Sequence, residues 1–198
     1  MSFQEDVMTA APIIKLDREV SAHDFRGAMR HLVGAVSVIT VGRGEDISGM
    51  TVTSLSSLSV DPPSLIVSVN RAASSWPLLK RYGWFGVNIL GHDQTGIAER
   101  FAGSNGLKGA ERFAGAEWIT RGPGVPLLVG ALAAISCEVE EIVERHSHGI
   151  VIGRVRHLQV APHGSALAYW HGEYVAIDRD EDLARLAEVS FPTQRLRR

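Results

Sequence analysis

Apolar residues recur along the chain mainly at the spacing of β-strands. Short runs rich in Val and Ile are bounded by glycine, proline or charged residues, which is the pattern of buried or half-buried strands. In the second half, two longer segments alternate imperfectly between apolar and polar positions. The pattern predicts strands over residues 35–41, 64–70, 84–90, 131–143, 148–160, 166–170 and 174–177.

Segments with helical spacing are fewer and short. Ser21 can cap a first helix, Asp24 stands in its first turn, and apolar residues follow at intervals of three and four. A second helix starts with two serines and has Pro77 in its first turn, a usual arrangement at a helix start. The predicted helices cover residues 21–33, 74–82, 95–101 and 180–189, whereas residues 111–119 are interpreted as irregular.

The segment 47–60 is extended in character, but its hydroxyl groups do not share one face. Thr51 and Thr53 fall on one parity and Ser54 and Ser56 on the other, which a regular strand would not produce. We therefore predict a bulge or a change of direction near Thr53 and Ser54. The sequence Asp-Pro-Pro at 61–63 ends the segment, because proline cannot donate to a strand ladder.

These elements predict a mainly-β fold, a small antiparallel barrel with helical insertions. The length of 198 residues fits one domain, and no repeat, low-complexity run or linker divides the chain. We expect a mobile N-terminal arm over residues 1–20, one domain over residues 21–178, and a C-terminal helix with a basic tail over residues 179–198.

Charge and composition narrow the function. The 20 basic and 22 acidic residues give a net charge of −2, which argues against nucleic-acid binding by phosphate neutralisation. The single cysteine, Cys137, excludes a disulfide framework and falls in a strand pattern, where we expect it to be buried and inert. Neither a secretory signal nor an apolar run long enough to cross a membrane is present. A cytoplasmic protein without membrane contact is therefore expected.

Two segments carry candidate binding chemistry. The hydroxyl groups around Thr51, Thr53 and Ser54 suit a phosphate or a ring carbonyl, although a partly exposed strand would also contain such residues. Ser74 and Ser75 stand at a helix start, where free backbone N–H groups bind anions. Plain helix capping by these serines is the alternative.

Histidines mark a third candidate. His146 and His148 are spaced to share one face of a strand, which permits metal ligation, but no third ligand is evident and no metal is predicted. Exposed histidines at a turn and a functional histidine at a ligand pocket are the other interpretations. Glycine-rich nucleotide-binding motifs and the G-x-S-x-G nucleophile motif are absent.

Taken together, the segments resemble a known family. From about residue 24 to residue 177 the order of motifs is similar to that of the short-chain NAD(P)H:flavin oxidoreductases, the flavin reductases of two-component monooxygenases. The most specific piece is the segment GMTVTSLSSLSVDPP. The other matching pieces are GAVSVIT, FGVNIL, ERFAG, HGIVIGRV and AYWHGEY.

The resemblance implies an FMN-binding split barrel, usually a homodimer with flavin near the subunit interface. It places His148 beside the nicotinamide as the catalytic residue and Tyr174 near the ring stack. The flavin-binding residues that it implies are Gly49, Met50, Thr51, Thr53, Ser54, Ser68, Val69, Asn70, Ser74, Ser75, Arg100 and Phe101.

The function implied is hydride transfer from NADH or NADPH to N5 of FMN or FAD, with reduced flavin supplied to a partner monooxygenase. A flavin-binding electron carrier with little NAD(P)H turnover, and a split-barrel protein without cofactor, are the alternatives. Two motifs depart from the family pattern. Where many members have Gly-Asp-His, this chain has His-Ser-His at 146–148, and where many have Tyr-x-Arg-Gly, it has Tyr-Trp-His-Gly at 169–172.

Overall fold

The fold is known from a computed structural model that describes residues 19–103, 105–121 and 124–178. The predicted C-terminal helix and tail, and residues 1–18 of the predicted arm, lie outside these residues. None of the described helices combines the length and the apolar character that a membrane span requires.

The described residues form three α-helices and twelve strands. The helices are α1 (Ala22–Met29), α2 (Ser75–Tyr82) and α3 (Thr95–Ala102). The strands are β1 (Gly34–Ala35), β2 (Ser37–Arg43), β3 (Asp46–Val52), β4 (Ser56–Val60), β5 (Pro63–Asn70), β6 (Trp84–Ile89), β7 (Trp118–Arg121), β8 (Val125–Leu128), β9 (Ala133–Arg145), β10 (His148–Val160), β11 (Ala166–Trp170) and β12 (Glu173–Ile177). The predicted mainly-β class is therefore confirmed.

Seven strands pair antiparallel in the order β3-β2-β6-β9-β10-β5-β4. Side chains alternate across this sheet, so that Val38 and Ile39, neighbours in β2, enter two different apolar clusters on its two faces. Cys137 lies in one of these clusters, as predicted, and burial raises the pKa of its thiol to about 12. The sheet thus forms the layer on which both halves of the core are built.

The outermost strands of this sheet, β3 and β4, are consecutive in the chain. Only Thr53, Ser54 and Leu55 separate them, so the chain crosses from one edge of the sheet to the other in three residues. The predicted change of direction near Thr53 is confirmed. Because the paired strands leave two open edges, the split-barrel arrangement remains a prediction.

Strands β1, β11 and β12 form a second, three-stranded sheet. The amide of Val36 donates to the carbonyl of Leu167, and the amide of Leu90 donates to the carbonyl of Val36, which ties this sheet to the large one. Residues 171–172 form the two-residue turn between β11 and β12, so the two predicted strands at 166–170 and 174–177 pair as a hairpin.

Other boundaries differ from the sequence-based prediction. Helix α1 ends at Met29 instead of residue 33, although Ser21 caps it by accepting a hydrogen bond from the amide of Asp24. None of its residues is buried, so no core contact extends it. Residues 118–121 and 125–128 pair as β7 and β8, whereas residues 111–119 were predicted to be irregular and no strand was predicted at 125–128. A four-residue strand is too short to show a clear period.

The β9–β10 hairpin also corrects the histidine prediction. His146 lies in the turn with φ 48°, outside both strands, and His148 begins β10 opposite Arg145. The two rings therefore do not share one face of a strand. Among the described residues, no three His, Cys, Asp or Glu side chains are grouped as a metal site.

Helix α2 packs across β10 through a close approach at one glycine. A Cβ atom added at Gly149 would lie 2.6 Å from Cζ3 of Trp76, and Trp76 is itself buried in the core. The space for this indole is therefore created by the missing side chain, and it fixes the start of α2 beside the first residues of β10.

We predict that Gly149→Ala destabilises the protein by about 1–3 kcal/mol, because the buried indole must shift. Chemical denaturation followed by tryptophan fluorescence measures this change. The matched control is Gly96→Ala in α3, where an added Cβ meets nothing within 4 Å. An equal stability change in the two variants would contradict this account of the packing.

Candidate functional site

A cavity of about 440 Å³ opens where the edge crossing, the end of β5 and the starts of α2 and β10 meet. We call it the hydroxyl cavity, since five of its lining residues are serine or threonine. Its lining residues are Met50, Thr51, Val52, Thr53, Ser54, Ser68, Asn70, Ala73, Ser74, Phe101, Ala102, Arg112 and His148. Nine of the predicted site residues are among them, so segments far apart in sequence meet here.

Hydroxyl hydrogen bonds hold two walls of the cavity in place. Thr51 Oγ1 donates to the carbonyl of Ala98 at 2.6 Å and joins β3 to α3. Ser54 Oγ donates to the carbonyl of Ser68 at 2.9 Å and joins the crossing to β5. The hydroxyl cluster singled out in the sequence thus positions the backbone as well as lining the cavity.

The two serines at the start of α2 have different environments. Ser74 is the N-cap residue, yet its hydroxyl makes no capping bond and lies 3.0 Å from Ser48 Oγ. Ser75 is fully buried, and its hydroxyl donates to Met50 Sδ at 3.7 Å. Side-chain capping by either serine is therefore wrong, and only Ser74 presents its side chain to the cavity.

Arg112 is a cavity residue that the sequence analysis did not identify. Its Nη1 donates to the carbonyl of Gly49 at 2.6 Å, and its Nε donates to the carbonyl of Leu107 at 2.9 Å. It is the only Arg or Lys among the described lining residues, and none of them is acidic. The cavity therefore favours an anionic group near Arg112.

A sequence signal for Arg112 does exist. The six residues AERFAG occur twice, at 98–103 and at 110–115, so the chain contains a short internal repeat. The two copies pack together, with the rings of Phe101 and Phe113 edge to face at 5.0 Å. Arg100 of the first copy donates to the carbonyl of Ala114 and lines a separate cavity of about 320 Å³. The second copy, which the sequence did not favour, supplies the arginine that lines the hydroxyl cavity.

The cavity has two distinguishable ends along β3. Arg112 donates to the carbonyl of Gly49, and Ser74 contacts Ser48. Arg112 and Ser74 therefore lie beside residues 48–49 of β3. Thr53 follows Gly49 by four residues, which in an extended strand spans about 13 Å. We call these the Arg112 end and the Thr53 end.

His148 stands beside Asn70, its partner in the β5–β10 register. The hydroxyl of Ser147, at the position where the family pattern has an acid, lies 2.9 Å from His148 Nδ1. A hydroxyl group can either donate to this nitrogen or accept from it, whereas a carboxylate can only accept. The contact occupies Nδ1 and leaves Nε2 for a ligand in the cavity.

A group of charges fixes the turn that carries His148. The amide of Arg71 donates to the carbonyl of Ser147 at 2.9 Å, and its guanidinium donates to the carbonyl of His146 at 3.0 Å. Glu144 pairs with Arg71 at 2.8 Å and with Lys80 at 2.9 Å. The hydrogen bond from Lys80 lowers the pKa of Glu144, and the charges of Arg71 and Lys80 lower it further. Partial desolvation acts in the opposite direction, but the net shift is downward.

Tyr174 lies in a neighbouring space. It lines a cavity of about 250 Å³, the tyrosine cavity, which also contains Tyr169 and shares Thr51, Thr53 and two further residues with the hydroxyl cavity. Burial, with smaller contributions from Tyr169 and Glu99, raises the pKa of Tyr174, so its phenol stays neutral.

The remaining predicted residues do not line the hydroxyl cavity. Gly49 and Val69 only neighbour lining residues in the chain: a Cβ at Gly49 would clash with the Phe101 ring, and Val69 is fully buried. The roles of all fourteen predicted residues stay predictions, and the residues outside the lining are Gly49, Val69, Ser75, Arg100 and Tyr174.

The depressed pKa of Glu144 predicts a pH-dependent contribution to stability. A carboxyl group whose pKa is lower in the folded state stabilises the fold above its ordinary pKa of about 4.3, and this contribution is lost as pH falls through the lower value. We expect wild type and Glu144→Gln to differ in unfolding free energy at pH 7 and to converge in acid, measured by urea denaturation. Glu45→Gln, in the β2–β3 turn, controls for the loss of a surface carboxylate. A difference independent of pH would contradict this role.

Comparisons with known proteins identify the family of this chain. The family model described as "Flavin reductase like domain" matches residues 29–178. A flavin reductase of Pseudomonas putida is 35% identical over 151 residues, 76% of this chain and 86% of that protein. The FMN reductase (NADH) RutF 2 of Methylorubrum extorquens (strain PA1) is 35% identical over 162 residues, 82% of this chain and 93% of that protein.

A solved structure is similar as well. The flavin reductase of the styrene monooxygenase (SMOB) from Pseudomonas putida S12 superposes with a TM-score of 0.69 at 29% identity, covering 78% of this chain and 97% of that one. The resemblance found in the sequence, and the oxidoreductase class that it implied, are confirmed. This chain belongs to the family of proteins with a flavin reductase-like domain.

Proposed function

We propose that the protein oxidises NADH or NADPH with a flavin, FMN or FAD, held in the hydroxyl cavity. The observation that carries the proposal is the lining of that cavity: uncharged donors along its length, Arg112 at one end, His148 at its side, and no acid among the described lining residues. A flavin has a neutral ring with carbonyl oxygens and a phosphate on a flexible chain, and it requires this distribution of donors and charge.

The residues present fit such a ligand. The cavity volume of about 440 Å³ is in the usual range for ligand sites. The side-chain oxygen of Asn70 accepts from the amide of Ala72 at 2.9 Å, which leaves its nitrogen to donate to a ligand carbonyl. Nη2 of Arg112 makes no hydrogen bond to another described residue, which leaves it for a phosphate.

The two ends of the cavity then have separate roles. At the Arg112 end, the guanidinium and the Ser74 hydroxyl would hold the phosphate, since charge-assisted hydrogen bonds to phosphate are among the stronger ones in proteins. At the Thr53 end, the hydroxyl groups and the backbone of the crossing would lie beside the flavin ring. They would stabilise the negative charge that the ring gains when it is reduced.

The bound flavin would supply the hydride acceptor, N5, so the chain itself needs no nucleophile or general base. His148 would donate from Nε2 to the nicotinamide carboxamide, with its ring held through Nδ1 by Ser147. The clamp of Arg71 and Glu144 on the turn keeps that ring at a constant distance from Asn70. The contribution of the protein is thus alignment of two rings and exclusion of water.

The reduced flavin would leave and reach a flavin-dependent monooxygenase, as the name of the styrene monooxygenase reductase suggests. We further propose the split-barrel arrangement and a homodimer. The short crossing between the two sheet edges supports the first. The uncovered side chain of Phe25 on α1, which lines none of the cavities described here, supports the second.

We expect NADH or NADPH oxidation, followed at 340 nm, to rise with added free flavin. NADH and FMN are the first pair to test, because the name of the Methylorubrum relative contains both. NADPH, FAD and riboflavin measured in the same assay show which nucleotide and which flavin the protein prefers. A protein that retains FMN through dialysis but oxidises neither nucleotide would contradict the reductase and favour the electron carrier.

Two variants should separate flavin binding from nicotinamide chemistry. Arg112→Ala removes the cation of the cavity, so we expect FMN to bind about tenfold or more weakly, measured by flavin fluorescence quenching. His148→Ala should leave FMN affinity within about twofold and lower kcat/KM for NADH, by about tenfold for one lost hydrogen bond to a charged or polarised group. Equal effects of both variants on both quantities would contradict the assignment of separate roles.

A further inference from the structure

A fourth cavity adjoins the hydroxyl cavity and has no role in the function proposed above. It measures about 420 Å³ and lies between α1 and the tip of the β11–β12 hairpin. It shares Thr53 and Ser54 with the hydroxyl cavity, so it opens at the Thr53 end. We call it the arginine cavity, after Arg26 and Arg30 in its lining.

The walls of the arginine cavity are fastened to each other. The amide of His171 donates to the carbonyl of Arg30 at 3.0 Å, and the His31 ring packs edge-on against the His171 ring at 4.6 Å. His171 and Gly172 both have positive φ, 51° and 95°, as the two central residues of a type I′ hairpin turn do. The hairpin tip is therefore held against the end of α1.

The charge of this cavity is positive. Arg26 and Arg30 are four residues apart, so they fall on one side of α1. None of the described lining residues is acidic, and no described carboxylate forms an ion pair with either arginine. The nearest acid on α1, Asp24, is hydrogen-bonded to the amide and hydroxyl of Ser21.

The rest of the lining is apolar and aromatic. Met29, Leu32 and Val33 form one side, and Trp170, 45% exposed, stands on the other. An exposed indole beside guanidinium groups suits a ligand that combines an aromatic ring with a phosphate, because the ring stacks while the arginines bind the anion. A nucleotide has this combination.

We propose that the arginine cavity binds the adenosine monophosphate half of a dinucleotide, with Arg26 and Arg30 on the phosphates and Trp170 against the adenine. The proposal rests on the function proposed above. NAD(P)H and FAD both carry this half. The placement of the cavity favours NAD(P)H, since it adjoins the Thr53 end, where the nicotinamide must meet the flavin ring, and not the Arg112 end, where the flavin phosphate would lie.

The test compares each dinucleotide with the matching mononucleotide. In the double variant Arg26→Ala/Arg30→Ala, KM for NADH should rise about tenfold or more, whereas KM for reduced nicotinamide mononucleotide should change by less than about twofold. In the Arg26→Ala background, Arg30→Lys should bind NADH more tightly than Arg30→Ala does, because lysine keeps the positive charge. The control is Arg121→Ala, an exposed arginine on β7 that lines none of the cavities described here.

Measuring the affinity for FAD shows whether the adenosine monophosphate half in the cavity belongs to NAD(P)H or to FAD. If the double variant weakens FAD about tenfold and leaves FMN and NADH unchanged, the cavity serves the flavin dinucleotide. If neither dinucleotide loses affinity relative to its mononucleotide, the proposal is overturned. Thermal unfolding of each variant confirms that the fold is retained.

A binding measurement keeps this proposal separate from the reductase activity. Calorimetric titration of flavin-free protein with ADP-ribose should give binding in the wild type and in Arg121→Ala, with about tenfold weaker binding in the double variant. A wild type that oxidises neither nucleotide but shows this pattern contradicts the proposed function and supports the cavity. Equal ADP-ribose affinity in all three proteins overturns the cavity proposal.

Discussion

The site depends on one short crossing of the chain. Thr53, Ser54 and Leu55 carry the backbone from one edge of the seven-stranded sheet to the other, and three residues allow little freedom in where those edges lie. The hydroxyl of Ser54 is bonded to the carbonyl of Ser68, and Thr51, just before the crossing, is bonded to Ala98. The crossing therefore connects the two sheet edges covalently, and Thr53 and Ser54 line both the hydroxyl cavity and the arginine cavity.

Positive side chains lie on both sides of this crossing. Arg112 lies at one end of the hydroxyl cavity, and Arg26 and Arg30 lie beyond the other, with uncharged hydroxyl and amide groups between them. Acidic side chains are absent from the described lining of both cavities. An uncharged centre with cations at both ends matches two ligands that meet ring to ring and carry their phosphates outward.

The repeat AERFAG shows how tertiary position separates two identical peptides. Arg100 belongs to α3 and turns toward Ala114, whereas Arg112 lies in a short 3-10 turn and reaches Gly49 on β3. The Phe101 and Phe113 rings pack together and bring the two copies into contact. Because the local sequence is the same in both, only the surroundings decide which arginine enters the hydroxyl cavity.

Most of the elements, and the family, could be predicted from the residues alone. Short apolar runs and alternation predicted most of the strands but not β7 and β8, the mixed parity of Thr53 and Ser54 predicted a change of direction there, and residue order indicated a flavin reductase. Only the tertiary structure decided the direction of single side chains, such as Ser75 into the core and His146 out of the strand. It also brought α1 to the β11–β12 hairpin, because such contacts between distant segments arise from packing and leave no local period in the sequence.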